Sequence, residues 1–104
     1  MANGEDWRGL AGRVVLAEAA VLAADRQHEP AATRFEQASA IFRRYSLPWD
    51  EAQAYEVWGG FLLQVGEREP AEAKFDAAVA IYRRVGAGER WLERVQRLRT
   101  PCAQ

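Results

Sequence analysis

Residues Glu29 to Tyr45 (EPAATRFEQASAIFRRY) recur forty positions later as Glu69 to Val85 (EPAEAKFDAAVAIYRRV), with nine of the 17 positions identical. Three more are close exchanges: Arg34 with Lys74, Glu36 with Asp76, and Phe42 with Tyr82. The preceding segments follow the same offset, setting Val14 over Ala54, Ala19 over Gly59 and Leu22 over Leu62. The unit that repeats is therefore two segments long. Such a unit cannot bury its apolar faces alone and must stack on its neighbours.

Composition says what the segments are. Ala contributes 20 of the 104 residues and Val, Ile and Thr together only 12, a balance that favours helix because Ala loses no side-chain entropy there. Pro30, Pro48 and Pro70 open amphipathic segments and Pro101 follows the last one; proline at a helix start gives up an amide that has no partner anyway. The pattern predicts five helices, at about 7–26, 30–45, 48–65, 69–85 and 88–99. Connections this short force neighbouring helices to run antiparallel. The expected fold is all-α, a single domain over 1–104: repeat 1 at about 7–45, repeat 2 at about 48–85, and a capping helix at about 88–99, two and a half repeats in all.

Within the second unit, Tyr55-x-x-Trp58-Gly59-x-x-Leu62 is followed by Gly66, then Ala71-x-x-x-Phe75 and Ala78. This resembles the tetratricopeptide repeat. The first unit carries the pattern more loosely, in Val15, Glu18, Ala19 and Leu22, then Ala31-x-x-x-Phe35 and Ala38. The resemblance spans roughly residues 12–98 and implies a right-handed superhelical stack, in which small residues allow close helix approach and the aromatic fills the space between. Two departures stand out. The period is 40 rather than the family's usual 34, which also touches the range of HEAT and armadillo repeats, and Arg43 and Arg83 replace the proline that commonly ends the second helix. Long repeats of this kind are similar to helical arrays attached to bacterial signalling ATPases, nucleotide cyclases and transcription regulators, an analogy of fold alone.

At about 100° per residue, Tyr55, Trp58, Leu62 and Val65 share one side of the third helix and are expected in the core. Gln53, Glu56, Gly60 and Gln64 fall opposite. With Val57 and Leu63, and with Arg13, Leu16, Ala17 and Ala20 of the first helix, they match the family's concave, ligand-facing surface. The resemblance thus implies a partner-binding or self-association face at Arg13, Leu16, Ala20, Gln53, Glu56, Val57, Gly60, Leu63 and Gln64. One Arg there is too little for the clamp by which some family members grip a peptide's terminal carboxylate.

The first helix is apolar on too many sides: Leu10, Val14 and Val21 on one, Val15 and Leu22 a quarter turn away, Leu16 on a third. Either a preceding repeat or a second chain should cover it, and Leu16→Glu is expected to disturb association more than folding. In the fifth helix Trp91, Leu92, Val95 and Leu98 form one stripe among charges, as suits a terminal lid.

Chemistry-bearing residues are few. His28 sits in a predicted turn without convergent partners, so it reads as solvated rather than as a ligand or base. Cys102, in the tail, has no base to activate it. A single cysteine makes no internal disulfide. No glycine-rich phosphate loop, serine elbow or catalytic carboxylate pair is legible, so no enzyme activity, cofactor or metal is expected. Arg43-Arg44 and Arg83-Arg84 end equivalent helices, where positive charge offsets the helix dipole. Trp7, Trp49 and Trp91, near the starts of first-type helices, are expected to wedge between neighbouring pairs. Arg83 to Arg99 holds six Arg against Glu89 and Glu93; an anionic or RNA partner there is the weakest reading, since the whole chain has a net charge of -1 and no recognition motif accompanies the patch. No apolar run approaches the roughly 20 residues that cross a bilayer, and the opening MANGEDW is no export signal, so a cytoplasmic location is expected. Thirteen Arg against one Lys, with abundant Ala, point to a GC-rich bacterial source.

The leading expectation is thus a non-enzymatic scaffold for protein interaction, binding a partner peptide or helix or pairing with itself, possible as a homodimer through the first helix. The alternative is a regulatory segment of a larger bacterial signalling ATPase, cyclase or transcription regulator.

Overall fold

Four connectors of nearly identical geometry cut the chain into helices. In the computed structural model, which describes residues 4–99 (side chains from Gly9 onward), these are α1 (Gly4–Ala24), α2 (His28–Arg44), α3 (Pro48–Gln64), α4 (Arg68–Arg84) and α5 (Glu89–Arg99). Each of the first four ends in the same way. After α1, the Arg26 amide donates to the Ala23 carbonyl at 3.1 Å and the Gln27 amide to Leu22 at 2.9 Å; after α3, Gly66 donates to Leu63 and Glu67 to Leu62 at 3.1 and 2.8 Å. This is the Schellman arrangement, which satisfies the last carbonyls by putting one residue in the left-handed region. That residue is Arg26, Ser46, Gly66 and Gly86 in turn, at φ of 65°, 57°, 87° and 76°.

The helices lie within two or three residues of the expected spans. Pro48 is the first residue of α3, but α2 and α4 begin two residues before Pro30 and Pro70. Proline is tolerated at that third position because the first four amides of a helix have no intrahelical acceptor. His28 is consequently the first residue of a helix rather than part of a turn. Pro101 and Cys102 lie outside the described residues, as does the side chain of Trp7.

Short connectors between packed helices make α1/α2 and α3/α4 antiparallel hairpins. The second hairpin stacks on the first through α3 against α2 and α1, and α5 closes the far end against α4 and α3. The result is an all-α stack of 49 × 34 × 17 Å. Ala31, Phe35 and Ala38 of α2, and Ala71, Phe75 and Ala78 of α4, are fully buried. Opposite the rings sit the smallest residues. A Cβ on Gly59 would lie 2.9 Å from the Phe75 ring, and one on Gly12 would overlap the Phe42 ring. By the repeat, Gly12 corresponds to Ala52 and Gly59 to Ala19, so each hairpin opposes one glycine and one alanine to its two aromatics.

Between hairpins, Trp58 stacks on Phe35 at 5.9 Å and 11° and on Tyr55 at 6.5 Å, with the Lys74 ammonium 3.8 Å from its centroid. The first hairpin puts Glu18 at the position of Trp58, and Arg34, the counterpart of Lys74, pairs with it at 3.6 Å. Trp49 and Trp91 meet at 5.2 Å beside Tyr82, wedged where α3 and α5 begin.

The expected core face of α3 does pack on the buried clusters, but α3 buries more than that face. Tyr55, Trp58, Leu62 and Val65 are only partly buried, while Ala52, Ala54, Gly59 and Phe61 are buried together with Glu51 and Glu56. The reason is position in the stack. Clasped by α1 and α2 on one side and by α4 and α5 on the other, α3 has two buried faces, and only a narrow strip containing Gln53, Gly60 and Gln64 is left between them.

Candidate functional site

A groove of about 700 Å³ lies between α1 and α3. Its α1 wall is Ala20, Ala23 and Ala24; its α3 wall is Val57, Phe61, Gln64 and Val65; Phe35 of α2 is also part of the lining. The groove exists because α1 presents only methyl groups here, where the second hairpin has Gly60, Leu63 and Gln64 at the equivalent positions. Arg26 and His28 complete the rim. The imidazole stands edge-on to Phe61, with ring centres 5.6 Å apart and planes at 68°. The site is therefore a trough about as polar as it is apolar, carrying three separate kinds of polar group: the Gln64 amide, the His28 imidazole and the Arg26 guanidinium. Such a combination can desolvate apolar side chains and orient them through a few hydrogen bonds. Among the described residues, no group of three or more His, Cys, Asp or Glu side chains could hold a metal ion.

Of the nine residues expected on a binding face, the structure brings Ala20, Val57 and Gln64 into this groove. Gly60 lies beside it, with nothing within 4 Å of where a Cβ would be. Arg13 is exposed and Gln53 partly so. The other three are corrected. Leu16 packs against two buried clusters, one containing Phe35 and Phe61 and the other Phe42 and Ala54, because α1 turns that side toward α2 and α3. Leu63 packs against the cluster of Phe75 and Tyr82. Glu56 is 4% exposed, covered by α5. Tyr82 donates to its Oε2 at 2.6 Å, and Arg94 of α5 approaches Oε1 at 3.2 Å. Burial raises the Tyr82 hydroxyl pKa well above its ordinary value, and the bond to Glu56 raises it further.

Phe61, His28 and Arg26 were not legible as groove residues. Val57, Phe61, Gln64 and Val65 do follow helical spacing, but nothing in that spacing distinguishes a groove wall from packed core.

Two of the six arginines between Arg83 and Arg99 are committed to internal ion pairs, while Arg83, Arg84, Arg90 and Arg97 are exposed. Arg99 bonds Glu72 and, at 2.7 Å, Asp76, while Arg94 serves Glu56. Arg43 reaches Glu51 at 3.4 Å and the Tyr55 hydroxyl at 3.2 Å, fastening α2 to α3.

Comparison with protein-family models, with curated proteins and with solved structures returns no match to this chain. Among the described residues, no helix is long and apolar enough to cross a membrane.

Proposed function

We propose that the chain is a non-enzymatic, tetratricopeptide-like scaffold that binds a partner helix or an extended peptide in the groove between α1 and α3. The observation that carries this is the groove itself: an alanine wall facing Val57 and Phe61, with Gln64, His28 and Arg26 at hand. Held open by two packed helices, it spares the complex the entropy of ordering a receptor surface, so the partner loses freedom mainly on its own side. The ligand that fits has one or two bulky apolar side chains at helical spacing and a hydrogen-bonding group near its end. A cytoplasmic location belongs to this reading.

Selection from a random peptide library against the immobilised chain tests it. Enriched peptides should carry paired apolar anchors and lose at least about tenfold in affinity to Ala20→Glu or Val57→Glu. Enriched peptides indifferent to both variants would place the binding surface elsewhere, and a selection that yields no binder would refute the groove.

A further inference from the structure

The side of α1 turned away from the rest of the protein carries a second surface, which meets the groove at Ala24. Leu10, Val14 and Val21 are 53%, 48% and 67% exposed. With the exposed Ala17 and Ala24 they form a continuous stripe at spacings of four, three, four and three. That is the heptad pattern of a helix seam, with Val14 and Val21 at the a positions and Leu10, Ala17 and Ala24 at d. Within this fold the two a positions have packed equivalents, since Val14 and Val21 correspond to Ala54 and Phe61, which α3 buries in the stack, whereas Ala17 and Ala24 correspond to the exposed Val57 and Gln64.

We infer that this stripe pairs with the same stripe of a second copy, the two α1 helices lying parallel about a twofold axis. Three observations choose that occupant. Val14 and Val21 at a are β-branched and Leu10 is at d, the combination that favours two parallel strands, with the small Ala17 and Ala24 at the other two d positions. In the same register Arg13 is a g residue and Glu18 the e residue five positions on, so a parallel pair sets Arg13 of each copy against Glu18 of the other. Both side chains are exposed, Glu18 while also paired at 3.6 Å with Arg34 of its own chain. A preceding hairpin docked as α2 docks on α3 is disfavoured by Glu18 itself: at the position where α3 inserts the Trp58 ring, α1 carries a carboxylate ion-paired to Arg34, and such docking would bury that pair. A twofold seam leaves it at the flank. The two protein bodies lie on opposite sides of the seam, because the stripe is diametrically opposite the buried Gly12 and Ala19. A pair formed this way presents two grooves at once, yet its formation does not depend on anything binding in them.

Sedimentation equilibrium of the full chain over roughly 1 to 500 µM is the test, the range suited to a seam of about two heptads. The expected result is a mass rising from 11.7 kDa toward twice that value. Val14→Glu with Val21→Glu should abolish the rise while the circular-dichroism melt stays in place. Arg13→Glu and Glu18→Arg, each alone, should weaken association roughly tenfold by creating two like-charge contacts. Mixed one to one, they should recover it, since a parallel heterodimer restores both pairs. A monomer throughout, a dimer that survives the two glutamates, or a mixture no better than its components would each overturn the proposal. Groove variants such as Val57→Glu should leave the mass unchanged, so this result and the peptide selection stand or fall separately.

Discussion

Tyr82 and Glu56 are joined by a buried 2.6 Å hydrogen bond at the two positions where the first hairpin packs Phe42 with Leu16. The same backbone therefore holds an apolar pair in one unit and a polar one in the other. The difference follows from what lies outside. Arg94 of α5 completes the second unit's pair, whereas the first unit's pair faces the apolar Ala54 of α3. One point of divergence between the repeats thus fits the second hairpin to a terminal helix.

Removing the hydroxyl in Tyr82→Phe leaves a buried carboxylate with Arg94 alone and should cost about 2 kcal/mol, in the range for a hydrogen bond to a charged group. Adding Glu56→Leu reproduces the Leu16/Phe42 pair and should recover most of that loss, because a well-packed apolar pair often replaces a buried polar one without penalty. Urea denaturation of the parent, both single variants and the double variant measures the coupling. A double variant less stable than the sum of the singles would contradict this account.

The raised pKa of Tyr82 makes stability fall with alkali. Below the unfolded value of about 10 the hydroxyl is protonated in both states and its bond is fully present. Above it, the unfolded chain ionises while the folded one resists, so protons are lost on unfolding and stability declines as pH rises. Absorbance at 295 nm should show one tyrosine titrating only as the protein unfolds, and Tyr82→Phe should remove that late step.

Three glycines inside helices should respond in opposite directions to Ala. Gly12→Ala and Gly59→Ala drive a methyl against the Phe42 and Phe75 rings and should destabilise by about 1 to 3 kcal/mol. Gly60→Ala meets nothing within 4 Å and should stabilise by about 0.5 to 1 kcal/mol through helix propensity alone. Thermal midpoints that move the same way for Gly59→Ala and Gly60→Ala would show that the close approach is not real.

Arg26 and Ser46 occupy left-handed backbone that the second unit and the α4–α5 connector give to Gly66 and Gly86. Ser46→Gly should therefore raise stability by roughly 1 kcal/mol, and Gly66→Ala should lower it by a similar amount. A denaturation midpoint unmoved by either change would mean that these connectors relax out of the Schellman geometry.

Much of this protein was legible from the repeat. Offset, alanine content and proline placement predict five helices to within three residues, and Ala-x-x-x-Phe identifies the rings that fill the two hairpins. Gly12 escaped because its partner, Phe42, lies thirty residues on in the neighbouring helix. The site was read less well. The resemblance put Glu56, Leu63 and Leu16 on an open face, and the stack covers each of them.

What the sequence determined by itself is local: where the helices run, since propensity and turn chemistry act over a few neighbours, and that one unit is written twice. Which sides of α3 stay open was decided only by tertiary packing. Periodicity names the faces of a helix but does not count the helices pressed against it, and α3 has neighbours on both flanks. The same arrangement leaves an alanine wall across from Val57 and an apolar stripe on the outside of α1, because each depends on which helix is next in space rather than next in the chain.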